Sequence, residues 1–360
     1  MNVHDPALRR LIDHVQSARA AGAQLAIRGG GTKDFYGEAP QGEPLATTVL
    51  EGISSYEPSE LVVTARCGTS LAELEAVLAE RGQCLPFEPP HFAAGGTVGG
   101  MVAAGLAGPA RASAGSVRDY VLGATMLDGR GEVLTFGGQV MKNVAGYDVS
   151  RLLAGSMGIL GVILEVSLKV LPIATATATL RFPMDEASAL RRLNEWAGKP
   201  LPLSASAWRS GMLALRLAGA RAAVESAIAT LGGELIEPAA ATAFWHHVRN
   251  HTDDFFLATR DAGSLWRLSV PSTTPPLRLP GEQLVEWGGA QRWWRTAAHA
   301  GQVRDAATRA GGHATLFRGR DKSAGVFAPL QSPLDRIHRE LKKAFDPAGI
   351  FNPGRLYPGL

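Results

Sequence analysis

The chain has 360 residues, 46% hydrophobic and 19% charged, a length suited to about two domains and a composition that excludes a largely disordered chain. Lys and Arg number 36 against 33 Asp and Glu, a net charge of +3, and the basic residues are scattered, which excludes a dedicated nucleic-acid binder. The two cysteines, Cys67 and Cys84, are too few for a cysteine-ligated iron–sulfur cluster or a disulfide framework and fit a reducing cytoplasm.

In chain order, the spacing predicts a helix over residues 6–21, with Asp5 as N-cap, Leu8, Leu11, Ile12 and Val15 on one face and Gly22 as stop. A strand at 25–28 runs into Gly29-Gly30-Gly31. Residues 61–65 read as a strand, and Ser70-x-x-Glu73 opens a helix that buries Leu71, Leu74, Val77 and Leu78 and ends at Gly82. Residues 121–127 and 132–136, joined by Asp128-Gly129-Arg130-Gly131, read as a hairpin. Residues 160–170 alternate as a half-buried strand.

Past Pro172 glycine becomes sparse and a second domain is expected. Its order is strand 177–182, helix 186–197, strands 204–208 and 212–217, helix 221–231 and strand 234–237, a split β-α-β-β-α-β pattern. A short helix at 243–250, a strand at 265–270 and helices at 303–310 and 334–344 follow. Charges interrupt the apolar residues of the N-terminus, so no signal peptide is read there. Residues 91–110 carry no charge but include six glycines, which argues against a membrane span.

Sixteen glycines fall within the 67 residues from Gly95 to Gly161, a density that is costly unless backbone turns sharply or approaches something closely. The string Arg28-Gly29-Gly30-Gly31-Thr32-Lys33 follows a strand and offers consecutive N–H groups beside a hydroxyl and two cations. That suits a pyrophosphate and equally fits a flexible turn. It is no Walker loop, and no Gly-x-Gly-x-x-Gly opens a helix. A second string, Gly95-Gly96-Thr97-Val98-Gly99-Gly100, follows Pro86-Phe87-Glu88-Pro89-Pro90, and a third, Lys142-Asn143-Val144-Ala145-Gly146-Tyr147-Asp148, leads to Gly155-Ser156-Met157-Gly158-Ile159-Leu160-Gly161-Val162-Ile163.

In this order the strings resemble the flavin-binding domain of the vanillyl-alcohol oxidase (PCMH-type) flavoprotein family, over about residues 25–172. Phe345-Asp346-Pro347-Ala348-Gly349-Ile350-Phe351-Asn352-Pro353-Gly354 is a family-like ending. The resemblance implies an α+β fold: a PCMH-type FAD-binding domain over 1–172, a ferredoxin-like α+β cap over 173–317 and a C-terminal segment, 318–360, that returns to the FAD domain. It implies that Arg28, Gly29, Gly30, Gly31, Thr32 and Lys33 hold the FAD pyrophosphate. Gly95, Gly96, Thr97, Val98, Gly99 and Gly100, with Pro86 beside them, would lie along the diphosphate and isoalloxazine. Gly155, Gly158, Gly161, Val162 and Ile163 would approach the adenosine half. Gly31-Thr32 stands where covalently flavinylated relatives often carry histidine, so the FAD is expected to be non-covalent.

Together with Trp287-Gly288-Gly289-Ala290-Gln291-Arg292-Trp293, the resemblance implies a subunit of a complex that oxidises glycolate, or a close 2-hydroxy acid, to the 2-oxo acid. Related 2-hydroxy-acid dehydrogenases carry a His-Gly-x-Gly element and metal-binding histidines, whereas Arg318-Gly319-Arg320-Asp321 occupies the comparable region here. The substrate machinery therefore reads as incomplete: no catalytic residue and no metal are assigned, and Arg318, Arg320 and Lys322 offer only anion binding. Two partners are implied, a homologous flavin subunit bearing the substrate motif and an iron–sulfur subunit. A stand-alone FAD-dependent 2-hydroxy-acid oxidoreductase and a non-catalytic flavoprotein scaffold are the alternatives. The expected location is cytoplasmic, with at most a peripheral place at the inner face of the membrane.

Of the remaining candidates, His246, His247 and His251 read as a surface or interface cluster and not as a metal site. Ala154-Gly155-Ser156-Met157-Gly158 lacks the strand–turn–helix setting of a nucleophile elbow. Tyr147 and Asp148 could tune the flavin or simply hold a turn. Of Trp266, Trp287, Trp293 and Trp294, one or two are expected in the core, and the others could be exposed to a partner.

Overall fold

The computed structural model describes residues 5–138, 148–261 and 263–360. The first helix, Pro6–Ala21, begins where the Asp5 carboxylate accepts the Ala7 N–H and stops at Gly22, whose φ of 65° suits glycine. Its buried stripe, Leu8, Leu11, Val15 and Ala18, joins a core shared with an antiparallel sheet of five strands. Their spatial order is Ile53–Glu57, Val62–Arg66, Val162–Lys169, Val121–Leu127 and Val133–Gly137. The predicted hairpin is the pair at one edge. The helix Leu71–Glu80 buries Leu71, Leu74 and Leu78; Val77 is half-buried, at the margin of the stripe.

Strand Val162–Lys169 departs from the expected half-burial. It is central, so both faces are covered: Ile163 and Ser167 are buried with the apolar set. The Ser167 hydroxyl is satisfied by that of Thr64 at 2.8 Å.

From Ala176 onward the β-α-β-β-α-β order is realised. Strands Glu234–Leu235, Ala176–Pro183, Met212–Gly219 and Leu203–Arg209 lie side by side and antiparallel, fourth, first, third, second in chain order, as in a ferredoxin-like unit. The strand Glu234–Leu235 is shorter than expected, two residues. Helices Glu186–Ala197 and Arg221–Leu231 bury Leu190, Leu193, Trp196 and Val224 in the same apolar cluster. The sheet then continues through Glu282–Glu286, Gln291–Thr296, Ser264–Ser269 and His313–Arg318 to eight strands. Three of these four are not predicted from the sequence: in Glu282–Glu286 and Gln291–Thr296 buried polar residues break the alternation, and His313–Arg318 is buried on both faces. Arg292, fully buried in the second of them, pairs with Glu186 at 3.0 Å and donates to the Gly289 and Thr274 carbonyls.

The tryptophans are more buried than expected: Trp266, Trp293 and Trp294 are core residues, and Trp287 is half-buried with its N–H on the Gly108 carbonyl. Among the described residues no helix is long and apolar enough to cross a membrane, and the longest helix within residues 91–110 is the seven-residue Val98–Ala104.

Glu286 is a buried carboxyl of the larger sheet. Its Oε2 accepts from Trp293 Nε1 at 2.5 Å and Gln291 Nε2 at 3.0 Å, and burial pushes its pKa up to about 7. A raised carboxyl binds protons in the folded state that the unfolded chain has released, so it costs stability as pH rises from the ordinary carboxylate range through 7. Glu286→Gln keeps an acceptor for both donors and is expected to stabilise the protein near pH 8 by on the order of 2 kcal/mol. Thermal melts near pH 8 and near pH 5 check this, since the gain should vanish at the lower pH.

Candidate functional site

The strand Leu25–Arg28 pairs in parallel with Glu43–Ala46 and delivers Gly29–Lys33 to its carboxyl end. Facing it is the loop Gly95–Thr97, held by the N–H of Leu71 on the Gly96 carbonyl and that of Val98 on the Thr69 carbonyl. The two loops touch through backbone. A Cβ on Gly30 would fall within the Gly95 carbonyl, 2.6 Å from its carbon, and one on Gly29 would overlap the Thr97 hydroxyl. Gly31 and Gly95 have φ of 70° and 84°, which glycine adopts without strain.

Among the described residues, the N–H groups of Gly29, Gly30, Gly31, Thr32 and Lys33 donate to no protein acceptor, and neither do those of Gly95, Gly96 and Thr97. Unclaimed amides on two facing loops form an anion nest. Arg28 leans away to pair with Asp34 at 2.9 Å. Lys33 Nζ stands 5.8 Å from the Phe92 ring centroid, and burial pushes its pKa down to about 8.

Thr97 caps the helix Val98–Ala104, its hydroxyl accepting the Gly100 N–H at 3.2 Å. Gly99 lets that helix lie on Cys67, where a Cβ would come within 2.6 Å of the cysteine Cβ. This glycine-rich helix is not predicted from the sequence. At its far end Gly155 and Met157 donate to the Val102 and Ala103 carbonyls, which places Gly155–Gly158 at the helix C-terminus. Gly158, Gly161, Val162 and Ile163 face protein: Gly158 abuts the Asn352 amide, Gly161 the Leu127 carbonyl, and the other two are buried in the sheet. Pro86 is half-buried before the core residue Phe87.

The C-terminal segment locks this arrangement, through residues whose roles the sequence does not announce. Asn352 accepts the Ile27 N–H and donates to the Met157 carbonyl, tying the first string to the third. Lys342, its amine buried, bonds Asp346 and the Ile159 and Phe351 carbonyls at 2.6–2.8 Å. The one available signal is the polar Asn directly after the apolar Ile350-Phe351 pair.

Other candidates fall elsewhere. Residues 142–147, including Tyr147, lie outside the described residues. Asp148 serves a turn, accepting from Ser150 and pairing with Arg151 at 3.0 Å. His246 and His247 are exposed, but His251 is buried and stacked on Phe256 at 3.8 Å, so the three are not one surface cluster. Among the described residues no group of side chains could hold a metal. Ser156 is buried and accepts the Gly158 N–H. In the segment 318–322, Lys322 Nζ donates to the Phe35 and Gly37 carbonyls and Arg318 stacks over Phe35 at 3.5 Å, so both brace the segment after the nest, while Arg320 is exposed.

Comparison with known proteins is consistent with this geometry. Residues 8–137 match the FAD binding domain family. The chain is 47% identical over 350 residues to the glycolate oxidase subunit GlcE of Escherichia coli (strain K12), covering 97% of each. It is 33% identical over 144 residues to a D-lactate dehydrogenase of Anaerostipes hadrus, covering 40% of this chain and 30% of that protein. With the glycolate oxidase subunit GlcD of Bacillus subtilis (strain 168) it shares 30% identity over 155 residues, 42% of this chain and 33% of the relative. Its fold is similar to that of alkyldihydroxyacetonephosphate synthase, with a TM-score of 0.64 at 16% identity over 96% of this chain and 75% of that one.

Proposed function

Since the chain belongs to the FAD-binding family that includes the glycolate oxidase subunit GlcE, we propose that it is the flavin subunit of a complex that oxidises glycolate, or a close 2-hydroxy acid, to the 2-oxo acid. The observation that carries this reading is the pair of facing loops whose amides are unclaimed: the backbone of Gly29–Lys33 and Gly95–Thr97 fits a pyrophosphate. When bound, FAD supplies a two-electron acceptor able to pass electrons on singly. Onward transfer then needs an iron–sulfur subunit, and substrate chemistry a homologous flavin subunit. The proposal divides the chain into an FAD domain at 1–172, a cap at 173–317 and a returning segment at 318–360. It places the assembly in the cytoplasm, at most peripheral to the membrane.

The attachment is non-covalent in this reading, because Gly31 and Thr32 offer no imidazole or thiol. Acid denaturation of the purified protein is expected to release all the flavin into the supernatant. Flavin in the pellet would contradict the attachment, and a colourless native protein the whole reading.

Lys33 makes binding pH-dependent. The flavin-free amine loses its proton near pH 8, and a pyrophosphate favours the charged amine, so above that pH binding must take up a proton. Affinity for FAD is expected to be level below about pH 8 and to fall by up to about tenfold per unit above it. Titrations of flavin-free protein at several pH values check this; Lys33→Met should flatten the profile.

A further inference from the structure

Beyond the nest, at the C-terminal end of the helix Val98–Ala104, lies a cleft of about 350 Å³ between Gly105–Arg118 and the cap sheet. Arg111, Arg118, Arg267 and His313 line it, and no Asp or Glu does. We propose that Arg111, Arg118 and Arg267 form a binding subsite for a small carboxylate anion. The identification of that anion as the 2-hydroxy acid, or its 2-oxo product, rests on the function proposed above.

The chain as a whole nearly balances its charges, 36 cations to 33 anions, so three guanidinium groups gathered on a cleft lined by no carboxylate are a local imbalance, offset only by Asp119 acting on Arg111 from outside the lining. Among the described residues none of the three forms an ion pair with a carboxylate. Asp119, the nearby acid, is occupied instead by the Ser116 N–H at 2.7 Å and hydroxyl at 2.9 Å.

The guanidinium groups are held by neutral partners that fix them without neutralising them. Arg111 lies over the Trp287 ring at 4.6 Å, Arg267 donates to the Tyr36 hydroxyl at 3.2 Å, and Arg118 to the Ala154 carbonyl at 3.4 Å. Burial and the neighbouring Arg267 charge outweigh the pull of Asp119 and hold Arg111 below its usual pKa, a repulsion that a bound anion would relieve. A cleft of one sign focuses its field and concentrates the opposite ion, and arginine forks match the two oxygens of a carboxylate. Ser269, also on the lining, supplies a neutral hydroxyl for a neighbouring polar group. The helix between nest and cleft has seven residues, about 10 Å at 1.5 Å per residue, so the arginines are separate from the pyrophosphate donors.

Oxalate, an unreactive small dicarboxylate, is the probe. It should bind the flavin-loaded protein in calorimetry and perturb tryptophan fluorescence, with the optical response, but not the heat, lost in Trp287→Phe. Arg111→Gln, Arg118→Gln and Arg267→Gln should each weaken it by about tenfold to a hundredfold while leaving flavin content and melting temperature as in the wild type. Flavin-loaded protein that ignores oxalate, variants that bind it as the wild type does, variants that lose FAD, or inorganic phosphate binding as tightly would each overturn the subsite. A chain that binds oxalate but never FAD would instead overturn the proposed function and leave the anion site standing.

Discussion

Gly30→Val is expected to purify without flavin. The reason differs from the usual glycine argument: Gly30 is not among the positive-φ glycines, so no forbidden backbone conformation is at issue. A side chain there meets the protein itself, with the Cβ 2.6 Å from the Gly95 carbonyl carbon. The two loops must part by about 1–2 Å to restore ordinary contact, which separates the amides meant to converge on one pyrophosphate. Charge-assisted hydrogen bonds contribute about 1.5–3 kcal/mol each, so misplacing two of them weakens FAD by roughly 10²–10⁴-fold.

The apolar core around Leu8, Leu71, Val98, Ile163 and Leu164 does not depend on this contact. The variant should therefore keep its far-ultraviolet circular dichroism and most of its melting temperature. Gly96→Ala is the control, since its Cβ would make ordinary contact with the Thr32 hydroxyl at 3.6 Å; it should retain the fold and a measurable share of flavin. Wild-type flavin content in Gly30→Val would move the pyrophosphate donors elsewhere.

What is legible in the sequence is what short windows encode. The first helix carries its cap, stripe and stop within residues 5–22, and the structure begins and ends it there. The ferredoxin-like unit is legible for the same reason, because each helix shows its own periodicity and each strand its own alternation. The glycine strings can be read as loops that approach something closely, but not that Gly30 and Gly95 approach each other, since that contact joins distant parts of the chain. The helix Val98–Ala104 is hidden by Gly99 and Gly100, poor helix formers; Gly99 is required because the helix lies on Cys67 there. Strands Glu282–Glu286 and Gln291–Thr296 are hidden by Glu286, Gln291 and Arg292, all buried and all satisfied by partners outside their own strand or across the hairpin. Asn352 and Lys342 are unreadable as site residues, because their partners at Ile27, Met157 and Ile159 lie far away in the chain.

The second large effect concerns the partner. Taking a hydride from a 2-hydroxy acid also requires the hydroxyl proton to leave, usually to a positioned base. The arginine cleft is lined by no carboxylate, and its one imidazole is that of His313. Desolvation and the Arg267 charge hold this histidine below its ordinary pKa, which makes it a weak proton acceptor. The isolated flavin-loaded chain is therefore expected to bind the acid and oxidise it slowly, and in the proposed complex the base falls to a partner subunit. A missing general base costs roughly 10²–10⁴-fold in rate. The direct measurement is anaerobic flavin reduction by glycolate, followed by loss of the oxidised flavin absorbance, in this chain alone and after reconstitution with its partner subunits. The account predicts a rate at least about 10²-fold higher in the complex; equal rates would contradict it and make the chain an oxidoreductase in its own right.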